Sequence, residues 1–259
     1  MELDLTSPVE RARLRRDFTG PVRVAVRGRP GTGRDTVARA LRVRLALTPI
    51  GPGDDDSDAD IWVHVVVGWP RRVDRELIAA LPTDRSVVVL GKADTLGSFE
   101  LAQQTAAEMS QALGRPVTAI MPLLACADIA DDEFDLLTQM LRDGEDVPSM
   151  AAEFITGGRE EAALRTGMLR RLDQFGISTA LDLMHDAAER GTDLERVALS
   201  AAVAQLGGVD DLRPQIASMT PAVRTARLAR LDALLGVGEH DPDTRAAVRE
   251  EIEQSLVSA

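Results

Sequence analysis

The chain reads as an α/β protein: a parallel sheet with helices on both faces, followed by an all-α C-terminal region. Three observations predict it. Apolar runs at Val22–Val26, Ile61–Gly68, Ser86–Leu90 and Pro116–Leu123 alternate with helical stretches, the rhythm of strands joined by helical crossovers. Ile61–Gly68, IWVHVVVG, is almost continuously apolar and β-branched, as a central strand buried on both faces must be. From about Met150 the strand signal stops, and only helical periodicity with caps and glycines remains.

At 259 residues there is room for one large or two modest domains. The expected division is a lead-in helix over 1–20, a sheet domain over 21–145 and a helical bundle over 150–259, with Gly144–Pro148 marking the change. Hydrophobic content of 44% and charged content of 28% are those of an ordinary globular protein. No apolar run approaches the ~20 residues that span a bilayer, and the first residues lack the apolar core of a signal peptide. A single cysteine, Cys126, excludes an intramolecular disulfide, so a cytoplasmic location is expected. Only three histidines, His64, His185 and His240, are present and they are scattered, which excludes a Cys/His metal cluster. The first 50 residues carry eleven arginines against five acids, +6 of a net −12, which leaves −18 for the rest. An acidic body argues against general nucleic-acid binding. Of 30 basic residues the one lysine is Lys92.

In chain order, residues 8–18 predict a short basic helix in which Val9, Leu14 and Phe18 pack while Arg11, Arg13, Arg15 and Arg16 surround them. It serves either an acidic partner or membrane surface, or simply as a solvated lead-in. After the first strand, Gly28–Gly33 make a turn and a helix opens at Arg34, running toward Leu47 with a short strand at Val43–Leu47. Pro49–Asp60 carries five aspartates and reads as a mobile acidic loop, since it lacks the spacing of a calcium loop. His64, inside the Ile61–Gly68 run, reads as a core or edge histidine rather than a catalytic base. Helices are expected at Arg71–Leu81, Ser98–Leu113 with Ser98 as N-cap, and Asp131–Arg142. Beyond 150, five to seven helices are expected. Thr192-x-x-Glu195 is a capping box, Thr220-Pro221 and Asp241-Pro242 are starts, and Gly176, Gly191, Gly207-Gly208 and Gly236 are stops. Leu164, Met168 and Leu172, then Leu194, Val197 and Leu206, then Leu228, Leu231 and Leu235 form its core stripes.

The chemistry gathers at strand ends. Gly28 and Gly33 are spaced as in a phosphate-binding loop, where glycines of positive φ let successive N–H groups converge on phosphate oxygens at a helix start. The loop residues are Gly28, Arg29, Pro30, Gly31, Thr32, Gly33, Arg34, Asp35 and Thr36. A working loop follows its last glycine with lysine and a hydroxyl residue; here stand Arg34 and Asp35, with threonine only at Thr36. At the end of a later strand, Gly91-Lys92-Ala93-Asp94 offers a carboxylate suited to a guanine's N1–H and exocyclic amine, and a lysine stem able to lie along base or ribose.

Together GRPGTGRDT (28–36), GKAD (91–94) and the strand end PVTAIMPLLA (116–125) resemble the P-loop GTPases: phosphate loop, guanine-reading [NT]KxD and base-contacting loop, the last here around Leu124. The resemblance covers residues 21–142 and implies a P-loop NTPase-like sheet; over 150–259 it extends only to the helical tail of bacterial dynamin-like GTPases. It implies GTP or GDP as ligand, with Mg²⁺ held by Asp35 or Thr36 if nucleotide binds. Departures accompany it. Gly91 replaces Asn or Thr. Asp35 would repel a phosphate by about 4 kcal/mol at ~4 Å and an effective dielectric of ~20. Offset by helix dipole and cation, the handicap is several-fold to about a thousand-fold in affinity. No D-x-x-G occupies Ala46–Asp60, Thr48 is the only switch threonine there, and nothing is placed to orient an attacking water. The expected function is a pseudo-GTPase, without catalytic residues, acting as partner or regulator of an intact GTPase. The alternatives are a slow GTP hydrolase using the substituted residues and an ATP-dependent kinase-like P-loop enzyme.

Overall fold

The computed structural model describes residues 4–51, 54–237 and 240–258. Pro52 and Gly53, part of the expected acidic loop, lie outside them. Five strands, β1 (Arg23–Gly28), β2 (Thr48–Pro49), β3 (Ile61–Val66), β4 (Ser86–Leu90) and β5 (Val117–Ala119), form one all-parallel sheet in the order β2-β1-β3-β4-β5. Every residue of β3 and of β4 is buried, as their β-branched runs require.

Thirteen helices are found among the described residues. They are α1 (Pro8–Thr19), α2 (Arg34–Leu45), α3 (Arg72–Ala79), α4 (Phe99–Leu113), α5 (Pro122–Ala125), α6 (Asp131–Asp143), α7 (Ala151–Phe154), α8 (Arg159–Arg171), α9 (Asp173–Glu189), α10 (Arg196–Leu206), α11 (Arg213–Ser218), α12 (Thr220–Leu235) and α13 (Pro242–Ser258). Ser98 accepts Leu101 N–H at 3.1 Å and caps α4, and Asp241 accepts Thr244 N–H at 2.9 Å ahead of α13.

Several local expectations change. Val43–Leu45 remain helical, and the pairing falls instead on Thr48–Pro49, where Thr48 N–H donates to Val22 O at 2.9 Å. The strand expected over 116–123 is cut to Val117–Ala119, because Pro122 opens α5. Thr192 does not cap α10: its hydroxyl donates to Ala187 O at 3.0 Å, and α10 starts after Glu195 without a side-chain cap. Gly176 stops nothing. It lies inside α9, where a Cβ would stand 3.3 Å from Leu124 Cδ1. Val9, Val197 and Leu206 are exposed rather than core.

The core does not break where the composition shifts. One apolar cluster joins Ala93, Met121 and Leu124 to Met168, Leu172, Ile177 and Leu199. Another joins the sheet residues Val24, Ile61, Val63 and Val87 to Val209, Leu212, Met219 and Val223 of the helical tail. A third packs Leu5 and Leu14 of the N-terminal segment on Leu231, Val248 and Ile252. The polar hub of this assembly is Asp60, fully buried just before β3. It accepts Arg23 N–H at 2.9 Å, Arg227 Nε at 3.0 Å and Arg230 Nη2 at 2.6 Å, while Arg227 Nη1 donates to Phe18 O and Gly20 O. Burial raises the Asp60 pKa, but these donors outweigh it and hold the carboxyl below its ordinary range.

Candidate functional site

The chain leaves β1 for β2 on one side and then crosses to β3 on the other, so strand order reverses at β1. In open α/β sheets, ligands bind at the carboxyl ends of the strands at such a switch point. Gly28–Thr36 stand there. Gly28 has φ +151°, and a Cβ on it would lie 2.6 Å from Val65 O and 2.9 Å from Thr32 Oγ1. Gly31 and Gly33 have φ +82° and +84°. Thr32 donates its amide and its hydroxyl to Arg29 O, at 3.3 and 2.9 Å, folding the turn on itself. Gly33 is the residue before α2, and Val37 N–H reaches back to Gly33 O at 3.0 Å. The amides of Arg34, Asp35 and Thr36 precede it, the orphan donors of a helix start.

GKAD comes to the same place. Gly91 N–H donates to Val66 O at 2.9 Å, and a Cβ on Gly91 would stand 2.9 Å from Val65 Cγ1 and 3.6 Å from Thr32 O. The tight fit of β3 against β4 explains glycine at this position. Lys92, with φ +54°, brings its Cε to 3.8 Å from the Cβ position of Gly33, so its stem crosses the phosphate loop. Asp94 is half-buried in the 3-10 turn Ala93–Leu96 that follows. The third element is different: Leu124 is fully buried in α5 among the core residues.

The charges are divided. Arg29 Nε donates to both carboxylate oxygens of Asp74, at 3.1 and 3.0 Å, so that guanidinium is held away from the loop's interior. Asp74, fully buried in α3, also accepts Arg71 N–H at 2.9 Å. His64 lies beside it, its Nε2 3.6 Å from Asp74 Oδ1, fully buried with neither ring nitrogen hydrogen-bonded. Burial pushes the His64 pKa below its ordinary value, Asp74 only partly opposing, so the ring is neutral at pH 7. Arg34 and the exposed Asp35 line a cavity of about 150 Å³ together with Arg27, Asp54 and Asp56. Arg27 grips Asp56 through two hydrogen bonds of 2.6 and 2.7 Å, which hold that carboxyl below its ordinary range. Arg34, Asp35 and Lys92 form no ion pair among the described residues. Nor do those residues contain a cluster of three or more His, Cys, Asp or Glu placed to hold a metal.

No protein-family model matches this chain, and no curated protein matches it. Among the described residues no helix is long and apolar enough to cross a membrane.

Two participants escaped the sequence. Asp74 sits 45 residues from the Arg29 it binds, with only its place three residues after Arg71, at a helix start, to mark it. Asp173, at the start of α9, is the other: burial first, and also the charge of Asp94, push its carboxyl pKa above the ordinary value, and nothing in its surroundings along the chain points to that neighbour.

Proposed function

We propose that this protein is a pseudo-GTPase: a GTPase-like module whose nucleotide site is degenerate and which serves as partner or regulator of an intact GTPase. One observation carries the reading. Two motifs some sixty residues apart, the glycine turn and GKAD, meet through Lys92 and Gly33 at the switch point of a parallel sheet, while the positions that would run the chemistry are altered. The strand order supports it too, since the glycine turn, β3 and GKAD sit on three adjacent strands. The altered positions work against tight phosphate binding. Asp35 is exposed in the first turn of α2, Asp54 and Asp56 share its cavity, and Arg29 is committed to Asp74. Each carboxylate near a polyphosphate adds repulsion that the α2 dipole offsets only in part.

Calorimetric titration of Mg²⁺-GTP and Mg²⁺-GDP into the full chain tests this. Weak binding of guanine nucleotides in preference to ATP, without turnover, is expected. Sub-micromolar affinity with steady release of phosphate would make the protein a working hydrolase and end the reading.

A further inference from the structure

At the amino ends of the strands, opposite the glycine turn, the sheet and the helical tail leave a cavity of about 500 Å³ between them. Its floor is apolar: Val22 ahead of β1, Ile61 at the start of β3, Ile216 of α11, Val223 of α12 and Leu256 of α13. The first four belong to the cluster that joins sheet to tail, so the cavity is a recess in the main core. Two charged side chains line it, Arg224 and Arg227, and no acidic one does, in a chain whose Asp and Glu outnumber Lys and Arg 42 to 30.

The two arginines differ. Arg227 is buried and its N–H groups are spent, two on Asp60 and three on the carbonyls of Phe18, Gly20 and Pro21. It contributes field to the cavity and no bond. Because Asp60 is shared with Arg230, the three groups together keep one positive charge. Arg224, three residues earlier on α12, is exposed and forms no hydrogen bond or ion pair among the described residues.

We propose that this cavity is a second binding site, for a soluble amphiphilic anion: a medium-length aliphatic chain ended by a carboxylate, with its tail on the floor and its head on Arg224. Its size is that of a small-molecule site, and such sites combine apolar walls with a few placed polar groups. A guanidinium grips a carboxylate through two parallel hydrogen bonds. A neutral apolar ligand would leave the charge of Arg224 unused, and a small hydrophilic anion would leave the floor uncovered. No residue of the glycine turn or of GKAD lines the cavity, so the proposal stands apart from the nucleotide reading.

The test is calorimetric titration of hexanoate, octanoate and decanoate, each below its micelle concentration, into the full chain and two variants. Arg224→Gln removes the charge from an exposed side chain that pairs with nothing. Ala217→Phe fills the cavity from an exposed position on its wall. The wild type should bind a single equivalent, about fourfold more tightly for each methylene added until the floor is covered. Arg224→Gln should weaken octanoate at least about tenfold, the worth of a hydrogen bond to a charged group, and octanol should bind it and the wild type alike. Ala217→Phe should abolish binding while its circular dichroism matches the wild type. No saturable binding of decanoate by the wild type at millimolar concentration overturns the proposal. Binding indifferent to chain length, to Arg224→Gln or to Ala217→Phe overturns it as well. Sedimentation with phosphatidylglycerol vesicles separates a free ligand from a membrane: the wild type should stay in solution, and pelleting that Arg224→Gln prevents would assign the surface to a bilayer instead. Hydrogen exchange supplies a readout without variants. Saturating decanoate should slow exchange over residues 213–224, and unchanged exchange there refutes the placement.

Discussion

Lys92 arches over Gly33, its Cε 3.8 Å from where a Cβ on that glycine would lie, and it does so from a left-handed backbone at φ +54°. A lysine in that region is strained by about 1–2 kcal/mol relative to glycine. Lys92→Gly is therefore expected to stabilise the fold by about 0.5–1 kcal/mol, after the greater freedom of glycine in the unfolded chain is subtracted. The same change removes the stem that crosses the phosphate loop and should weaken any nucleotide binding. Urea denaturation and a GDP titration on one preparation check both signs; a destabilised Lys92→Gly contradicts the strain argument.

The glycines of the turn are not equivalent. Gly28→Ala drives a Cβ to 2.6 Å from a backbone oxygen of β3 that cannot move without its strand. A loss of about 3 kcal/mol or more is expected, from overpacking added to backbone strain. Gly31→Ala meets nothing within 4 Å and should lose only the left-handed cost of about 1–2 kcal/mol. Comparing the two urea midpoints separates close approach from conformation.

Asp60→Asn removes the charge that Arg227 and Arg230 surround, leaving buried guanidinium without its counter-ion. About 3–5 kcal/mol of stability should go. The pH dependence follows from the sign of the shift. The folded pKa lies below the unfolded value, so the contribution of Asp60 is complete above the ordinary carboxyl pKa and is lost as pH falls through the folded one. Wild type minus Asp60→Asn stability, measured by urea titration from pH 7 down to pH 3, should hold steady and then shrink below about pH 4. A difference that grows on acidification would reverse the assignment.

Asp74→Asn should cost about 3 kcal/mol, the low end for a broken buried pair, because Arg29 keeps some access to water. It should also free the guanidinium for the loop. Tripolyphosphate binding is then expected to strengthen while the melting temperature drops; unchanged anion affinity would mean that Arg29 stays turned away without its carboxylate.

How much of this was legible along the chain depends on where the information lies. β3 announces itself because six consecutive residues must all be buried, and the glycine turn because positive φ restricts the residue type. β2 could not be read: it is two residues long and exists because Val22 and Val24 offer carbonyls to Thr48 and Ile50. Val43 looked like strand and is helix, since the α2 ladder outweighs the preference of one β-branched residue. Gly176 looked like a stop because a glycine's role at a helix crossing is set by Leu124, fifty residues away. Of the site, the glycine turn and GKAD were readable as motifs. Their partners Asp74 and Asp173 were not, because a carboxylate's meaning depends on which group the fold sets beside it.

The continuous core bears on how the protein can be divided. Val209, Leu212, Met219 and Val223 cover the same face of the sheet as Val24 and Ile61, and Arg227 neutralises Asp60 at the entry to β3. A fragment ending near residue 145 would bare that apolar face and strand a carboxylate in it. Such a fragment should aggregate on expression, which makes the helical tail a chaperone-like lid built into the same polypeptide.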